Sequence, residues 1–269
     1  MAEESLIAVF VDFENLALGV RDMKGGRFDI SLILKRLLEK GRLVYKRAYC
    51  DWKNYRDEVR EFHGQGIELI DIPQSRMSGK NSADIRMVVD ALDLCYSKDH
   101  IDTFALISGD SDFSPLVSKL KENNKRVIGC GVKSSTSELL IGNCDEFIYY
   151  DDLAKVVAQR AKPKVATDSK KPSNPKEEAR ERVVEVLDSI EQDYDTVWGS
   201  LLKQIIRRVY PGFSEGYYGY GSFSELLEDV ADAGLIELDF DPDRRNYQVS
   251  LAQKKVPRRR KIASRERSN

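Results

Sequence analysis

The sequence predicts an α/β protein: a mostly parallel sheet covered by helices, followed by a smaller α+β unit of winged-helix type. Three observations predict it. Residues 5–160 alternate strand-like and helix-like stretches, as successive βαβ units do. Residues 177–251 read as three helices and then two short alternating strands, a common nucleic-acid module. Between them, residues 161–176 (AKPKVATDSKKPSNPK) hold three prolines, several lysines and almost nothing apolar, the composition of a linker. The expected boundaries are therefore 1–160, a linker over 161–176, 177–251, and a tail over 252–269.

Taken in order, the first unit offers strands at 5–11, 43–49, 67–72, 103–108, 126–131 and 146–150, each a short apolar run rich in Val, Ile, Leu or aromatic residues. Helical patterns fall at 30–40, 53–63, 82–97, 114–123, 136–142 and 151–160. Within 82–97, Ile85, Val88, Val89 and Leu92 stand at i, i+3, i+4 and i+7, one apolar stripe. Ser114 followed by Pro115 predicts a helix start with Ser at the N-cap. In the second unit, helices are expected at 177–192, 197–209 and 222–233, with strands at 235–240 and 247–251 flanking the turn Asp241-Pro242-Asp243-Arg244.

Bulk properties exclude several classes. With 269 residues the chain can bury one large core or two smaller ones. A net charge of −2 makes it no polycation, although residues 254–267 carry eight Lys or Arg against one Glu, the pattern of a solvated tail or a nonspecific phosphate grip. No run approaches the roughly 20 apolar residues of a membrane helix, so no membrane role is expected. Cys50, Cys95, Cys130 and Cys144 are scattered, and His63 and His100 are the only histidines. That disfavours zinc and suggests reduced thiols and a cytoplasmic location.

Function is written in the acids. Asp12 closes the run Leu6–Val11, Asp84 opens the helical stretch after Asn81-Ser82, and Asp110 and Asp112 follow Phe104–Ile107. In a parallel α/β sheet, ligands collect beyond the carboxyl ends of the strands, so acids there converge. Crowded carboxylates repel unless a cation neutralises them, and hard oxygen donors suit Mg²⁺ or Mn²⁺. Each acid also has a plain local reading, as a turn or helix cap or a dipole partner. Asn15, one turn past Asp12, joins the set as a holder of water or phosphate, or as a cap. Asp90 and Asp93 lie on other faces of their helix and read as structural.

Val11-Asp12-Phe13-Glu14-Asn15, Lys80-Asn81-Ser82-Ala83-Asp84 and Ser108-Gly109-Asp110-Ser111-Asp112-Phe113, in this order, resemble the NYN domain, a branch of the PIN-like nucleases. The resemblance implies a Rossmann-like three-layer sandwich and Mg²⁺- or Mn²⁺-dependent ribonuclease chemistry giving 5′-phosphate products. It gives the metal-site role to Asp12, Asp84, Asp110 and Asp112, with Asn15 and Ser108 beside them. Lys80, Arg76 and Lys133, on loops near the crevice, are candidates to hold RNA phosphates.

The second unit resembles a LOTUS (OST-HTH) domain through Leu201-Leu202-Lys203, Tyr210-Pro211-Gly212-Phe213 and Tyr220–Leu227, which implies RNA binding, and the expected RNA is single-stranded. Tyr217, Tyr218 and Tyr220 are candidate stacking platforms, and Lys203, Arg207 and Arg208 candidate phosphate contacts. Phe213 and Phe223 read better as core. The acids Glu225, Glu228, Asp229 and Asp232 keep a protein partner open, and a homodimer is open too. The expected function is a metal-dependent ribonuclease. The alternatives are an RNA-binding or scaffolding protein that holds a metal without turnover, and a Toprim-type phosphotransfer enzyme built on Glu14 with Asp110 and Asp112, which leaves Asp12 and Asp84 without roles. A nicotinamide enzyme is disfavoured because no G-x-G-x-x-G follows the first strand.

Overall fold

A computed structural model describes residues 4–21, 28–73, 81–161 and 174–252 of the chain. Arg76 and Lys80, most of the 161–176 linker and nearly all of the basic tail lie outside them. The chain divides into two compact units, residues 1–169 and 170–269.

The first unit is built on strands β1 (Leu6–Asp12), β2 (Arg42–Cys50), β3 (Glu68–Asp71), β4 (Thr103–Ile107), β5 (Arg126–Gly131) and β6 (Glu146–Tyr149). They form one all-parallel sheet in the order β3-β2-β1-β4-β5-β6. Alternation along each strand assigns its side chains to two faces. Ile7, Val9, Val11, Ala105 and Ile107 pack with one core, and Ala8, Phe10, Phe104 and Leu106 with the other. The first core includes side chains of α1 (Phe13–Arg21), α2 (Ile30–Lys40), α3 (Arg56–Gly64) and α7 (Tyr150–Ala161). The second includes those of α4 (Ser82–Ser97), α5 (Ser114–Glu122) and α6 (Glu138–Asn143). Both faces of the sheet are therefore dry, which explains why its strands read as unbroken apolar runs.

Helix α1 had no counterpart in the sequence reading. Strand β1 passes into it with no intervening loop, so no turn signal marks the change, although Phe13, Leu16 and Val20 at i, i+3 and i+7 are all buried. The predicted stripe on α4 is corrected. Met87, Ala91, Leu94 and Cys95 face the core, whereas Ile85 and Val89 are 63% and 55% exposed. The predicted stripe is thus half right: Val88 and Leu92 pack against the margin of this core, while Ile85 and Val89 lie outside it. The start of α5 also shifts. Asp110 caps a 3-10 turn over Ser111–Phe113, and the helix begins at Ser114, with Phe113 rather than Ser114 in the N-cap position.

The second unit comprises α8 (Pro175–Ile190), α9 (Gly199–Val209), α10 (Phe223–Asp232) and the antiparallel hairpin β7 (Ile236–Asp241) with β8 (Asn246–Leu251). Trp198 forms an isolated antiparallel bridge to Gln248, tying the segment before α9 to the hairpin. Its own core gathers Val183, Leu187, Leu202, Ile206, Leu226, Val230 and Val249, together with Phe213 and Phe223, which are buried as the sequence suggested.

Candidate active site

The strand order reverses between β1 and β4, and a ligand crevice opens beyond the carboxyl ends of such a pair. Asp12 is the last residue of β1, and Ser108 directly follows β4. The two are joined: Ser108 Oγ donates to Asp12 Oδ2 at 2.8 Å and accepts from the Asp110 amide at 3.1 Å. Asn15, on the first turn of α1, completes the bracing. Its side-chain oxygen accepts from the Gly109 amide at 2.8 Å, and its own amide donates to Asp12 Oδ1 at 3.3 Å. Gly109 is required by space, since a Cβ there would stand 2.3 Å from the Ser135 carbonyl oxygen.

Asp12 is only 6% exposed. Burial raises its pKa to about 7, the negative charges of Asp84 and Asp110 push the same way, and hydrogen bonds from Ser108 and the Asn15 amide pull it back. An acid held this far up in a crevice is a functional-site signature. Local jobs coexist with this one. Asp110 accepts from the Asp112 amide at 3.0 Å as the cap of its 3-10 turn, and Asp84 occupies the first turn of α4.

The expectation that all four acids close on one ion goes further than the geometry. Among the described residues, no three His, Cys, Asp or Glu side chains are placed to hold a metal ion together. Asp84 and Asp110 act on Asp12 through charge, while Asp112 lines a neighbouring groove with Asp84. Such a donor set still fits a hard divalent cation. Mg²⁺ keeps several waters and is usually bound through one or two carboxylates plus substrate phosphates. A buried carboxylate facing like charges also gains most from added positive charge.

Other predicted residues stand elsewhere. The Lys133 ammonium is paired with Asp152 at 2.8 Å, both partners about half exposed, and lies over the Tyr149 ring. Glu14, which the Toprim-type alternative needs, accepts from the Asp51 amide at 3.3 Å and contacts the Cys50 thiol, bracing the end of β2. Asp90 accepts from Arg47, Tyr49 and Arg86, which gives it a structural role.

In the second unit, Tyr218 and Tyr220 are buried at 4% and 3% exposure, so they cannot be stacking platforms, whereas Tyr217 is 73% exposed. Lys203 and Arg207 both bond Glu215, itself 8% exposed, at 2.8 Å and 3.2 Å, which draws their charge away from a phosphate. Arg208 sits in the last turn of α9. Sequence reasoning missed Arg244 stacked over Trp198 and the half-exposed Phe240 of the hairpin, both signalled only by an aromatic-cation mixture near its turn.

Comparison with known proteins fits this geometry. Residues 6–151 match the NYN domain. An uncharacterized protein of Methanocaldococcus jannaschii is 30% identical over 145 residues, which span 54% of this chain and 55% of that protein. The chain thus matches about half the length of this curated relative. A crystal structure of a protein of unknown function from Vibrio parahaemolyticus is 28% identical with a TM-score of 0.50, over 57% of this chain and 97% of its own. The family match covers more than half of the sequence and takes in Asp12, Asn15, Asp84, Ser108, Asp110 and Asp112. On that ground, the chain belongs to the NYN-domain family of PIN-like nucleases.

Proposed function

We propose that this protein is a divalent-metal-dependent ribonuclease whose first unit hydrolyses phosphodiester bonds of single-stranded RNA. The observation that carries this reading is Asp12: a buried carboxylate at the topological switch point, its pKa raised to about 7 beside two further acids. Asp12, Asp84 and Asp110 would hold Mg²⁺ or Mn²⁺, with Asp112 alongside. Once bound, the cation would supply positive charge for the phosphate oxygens and a water acidic enough to attack at neutral pH. The chain's own residues prepare that chemistry. Ser108 fixes the Asp12 carboxylate by its hydrogen bond, and Asn15 fixes the Gly109 backbone that aims Asp110. The burial that raises the Asp12 pKa also keeps bulk water from its oxygens.

The test is purified protein with RNA and DNA oligonucleotides, with Mg²⁺, Mn²⁺ or EDTA, beside Asp110→Asn. Asn retains the ability to cap the 3-10 turn, so folding is preserved while a charge is lost. Metal-dependent RNA cleavage that disappears in the variant supports the reading. Cleavage that persists in both EDTA and the variant overturns it. A second reading, an RNA-binding or scaffolding protein that keeps the acids without turnover, is favoured by the lack, among the described residues, of a preformed three-carboxylate set. RNA binding with no product under any metal selects it.

For the second unit we propose a winged-helix, LOTUS-like module: three helices and a hairpin wing, with the Trp198–Gln248 bridge tying the segment before α9 to that wing. Exposed Tyr217 remains its stacking candidate. The internal pairing of Lys203 and Arg207 supports a protein partner equally well. Loss of RNA binding on deleting this unit, against retention with a missing protein partner, separates the two. The four free cysteines support a reducing compartment, and we place the protein in the cytoplasm on that ground.

A further inference from the structure

Next to the acids, a groove of about 740 Å³ lies between α4 and α5, and Asp84 and Asp112 form part of its lining. Its apolar wall includes Ile85, Val89 and Leu139, exposed at 63%, 55% and 60%. Ser114 also lines it. That side chain is 7% exposed, and its hydroxyl oxygen, sealed from solvent, has no hydrogen-bond partner.

Resting on the ribonuclease reading, we propose that this groove is a nucleoside subsite, which seats the base and ribose adjoining the scissile phosphate. The charges assign the parts. Two carboxylates on the wall repel a phosphate, so the phosphate belongs at the Asp12 end, where a cation offsets the acids. What lies in the groove is the neutral remainder of the nucleotide. The base packs on Ile85, Val89 and Leu139, and the ribose 2′-hydroxyl donates to Asp84 or Asp112. Ribose recognition of this kind distinguishes RNA from DNA, because only the 2′-hydroxyl can make the donation. Continuity favours a nucleic acid over a protein here. Asp84 belongs to both the groove and the acid site, so a protein seated there would close the crevice, whereas a single strand runs through both.

The test uses the full chain with methyl-labelled Ile, Leu and Val, titrated with adenosine and deoxyadenosine in the absence of metal. Adenosine is expected to shift the Ile85, Val89 and Leu139 methyl signals, and deoxyadenosine to do so more weakly. In parallel, Ile85→Gln and Val89→Gln, at solvent-exposed positions, are expected to raise the KM for an RNA oligonucleotide about tenfold each with kcat little changed, the effect of losing one or two buried methylenes' worth of contact. RNA cleavage with unmoved methyls and an unchanged KM overturns the subsite and leaves the nuclease reading standing. Nucleoside-induced shifts without cleavage under any metal uphold the subsite while the nuclease reading fails. If Val89→Gln instead converts a dimer to a monomer in sedimentation and nucleosides move nothing, a second copy occupies the groove and the subsite is wrong.

Discussion

Two carboxylates, one in each unit, are driven in opposite directions. Asp12 is buried beside Asp84 and Asp110 and held up to about 7, whereas Asp229 is held down to about 2, chiefly by Arg180. The Asp229 pairing is bidentate, at 2.6 Å and 2.8 Å, with Tyr220 donating a further bond at 2.7 Å. In the second unit, then, an acid is answered by a cation from the same fold, as Glu215 is by Lys203 and Arg207. At Asp12, among the described residues, the donors are neutral, Ser108 and the Asn15 amide, and other acids lie nearby. The difference teaches where charge is structural and where it is held ready. An internally paired carboxylate stabilises its own unit, whereas a buried one facing like charges costs stability and has its use in binding something positive.

The largest effect that tests this contrast is expected from Asp12→Asn. If Asp12 holds the metal as proposed, its loss should lower RNA cleavage by more than the roughly 10- to 100-fold typical of losing an outer-shell partner. Its effect on stability has the opposite sign. A carboxyl whose folded pKa is raised binds its proton more tightly when folded, so stability falls as pH rises from about 4 through 7. The metal-free Asn variant should therefore melt higher than the parent at pH 7.5, by up to a few kcal/mol on the roughly 1.4 kcal/mol per pKa unit scale, and the two should converge near pH 4. Calorimetry in EDTA across that range reads it. A variant that is both inactive and less stable would show that Asp12 is simply a structural acid.

Gly109→Ala comes next. A new methyl 2.3 Å from the Ser135 carbonyl oxygen forces backbone apart, at a cost of about 1–3 kcal/mol typical of overpacking. Because Gly109 carries the bond to Asn15, cleavage should fall with stability, and urea unfolding beside kinetics checks both. Ser108→Ala sharpens the electrostatic half. It removes a donor that favours ionised Asp12, so the acidic limb of the pH–rate profile should move upward by roughly one unit. An unmoved limb would mean that another group sets the profile.

Much of the first unit is legible in sequence because both sheet faces are dry: unbroken apolar runs such as Leu6–Val11 and Phe104–Ile107 can hardly be anything but buried strands. The acids are legible for a related reason, since a charged residue at the end of such a run must sit at the sheet's edge. What was not legible depends on partners distant in sequence. Whether Ile85–Val89 or Met87–Leu94 faces the sheet is decided by where α4 lies, and both stripes satisfy helical spacing equally. Lys133, Lys203 and Arg207 look like free cations until folding brings Asp152 and Glu215 beside them. Tyr218 and Tyr220 belong to a Gly- and Tyr-rich stretch that mimics an exposed stacking surface, yet their rings complete the core. Helix α1 was missed through the absence of a loop, the one signal on which the strand-to-helix change depends.

The smallest effect belongs to the paired acid. Asp229→Asn removes an ion pair whose partners are both partly exposed, at 33% for Arg180 and 26% for Asp229, so solvent screening holds its worth to about 1 kcal/mol. Here the pH dependence runs opposite to that of Asp12. A folded pKa lowered to about 2 gives stability that is present above about 4 and lost as pH falls toward 2. Parent and variant should therefore differ at neutral pH and converge in acid, with cleavage by the first unit unchanged. Denaturation of the isolated residues 170–269 beside the full chain checks this, since that segment carries its own core. A fall in cleavage that accompanies so modest a loss of stability would mean that the second unit takes part in catalysis, and the division between charge held ready and charge already answered would no longer follow the boundary between the units.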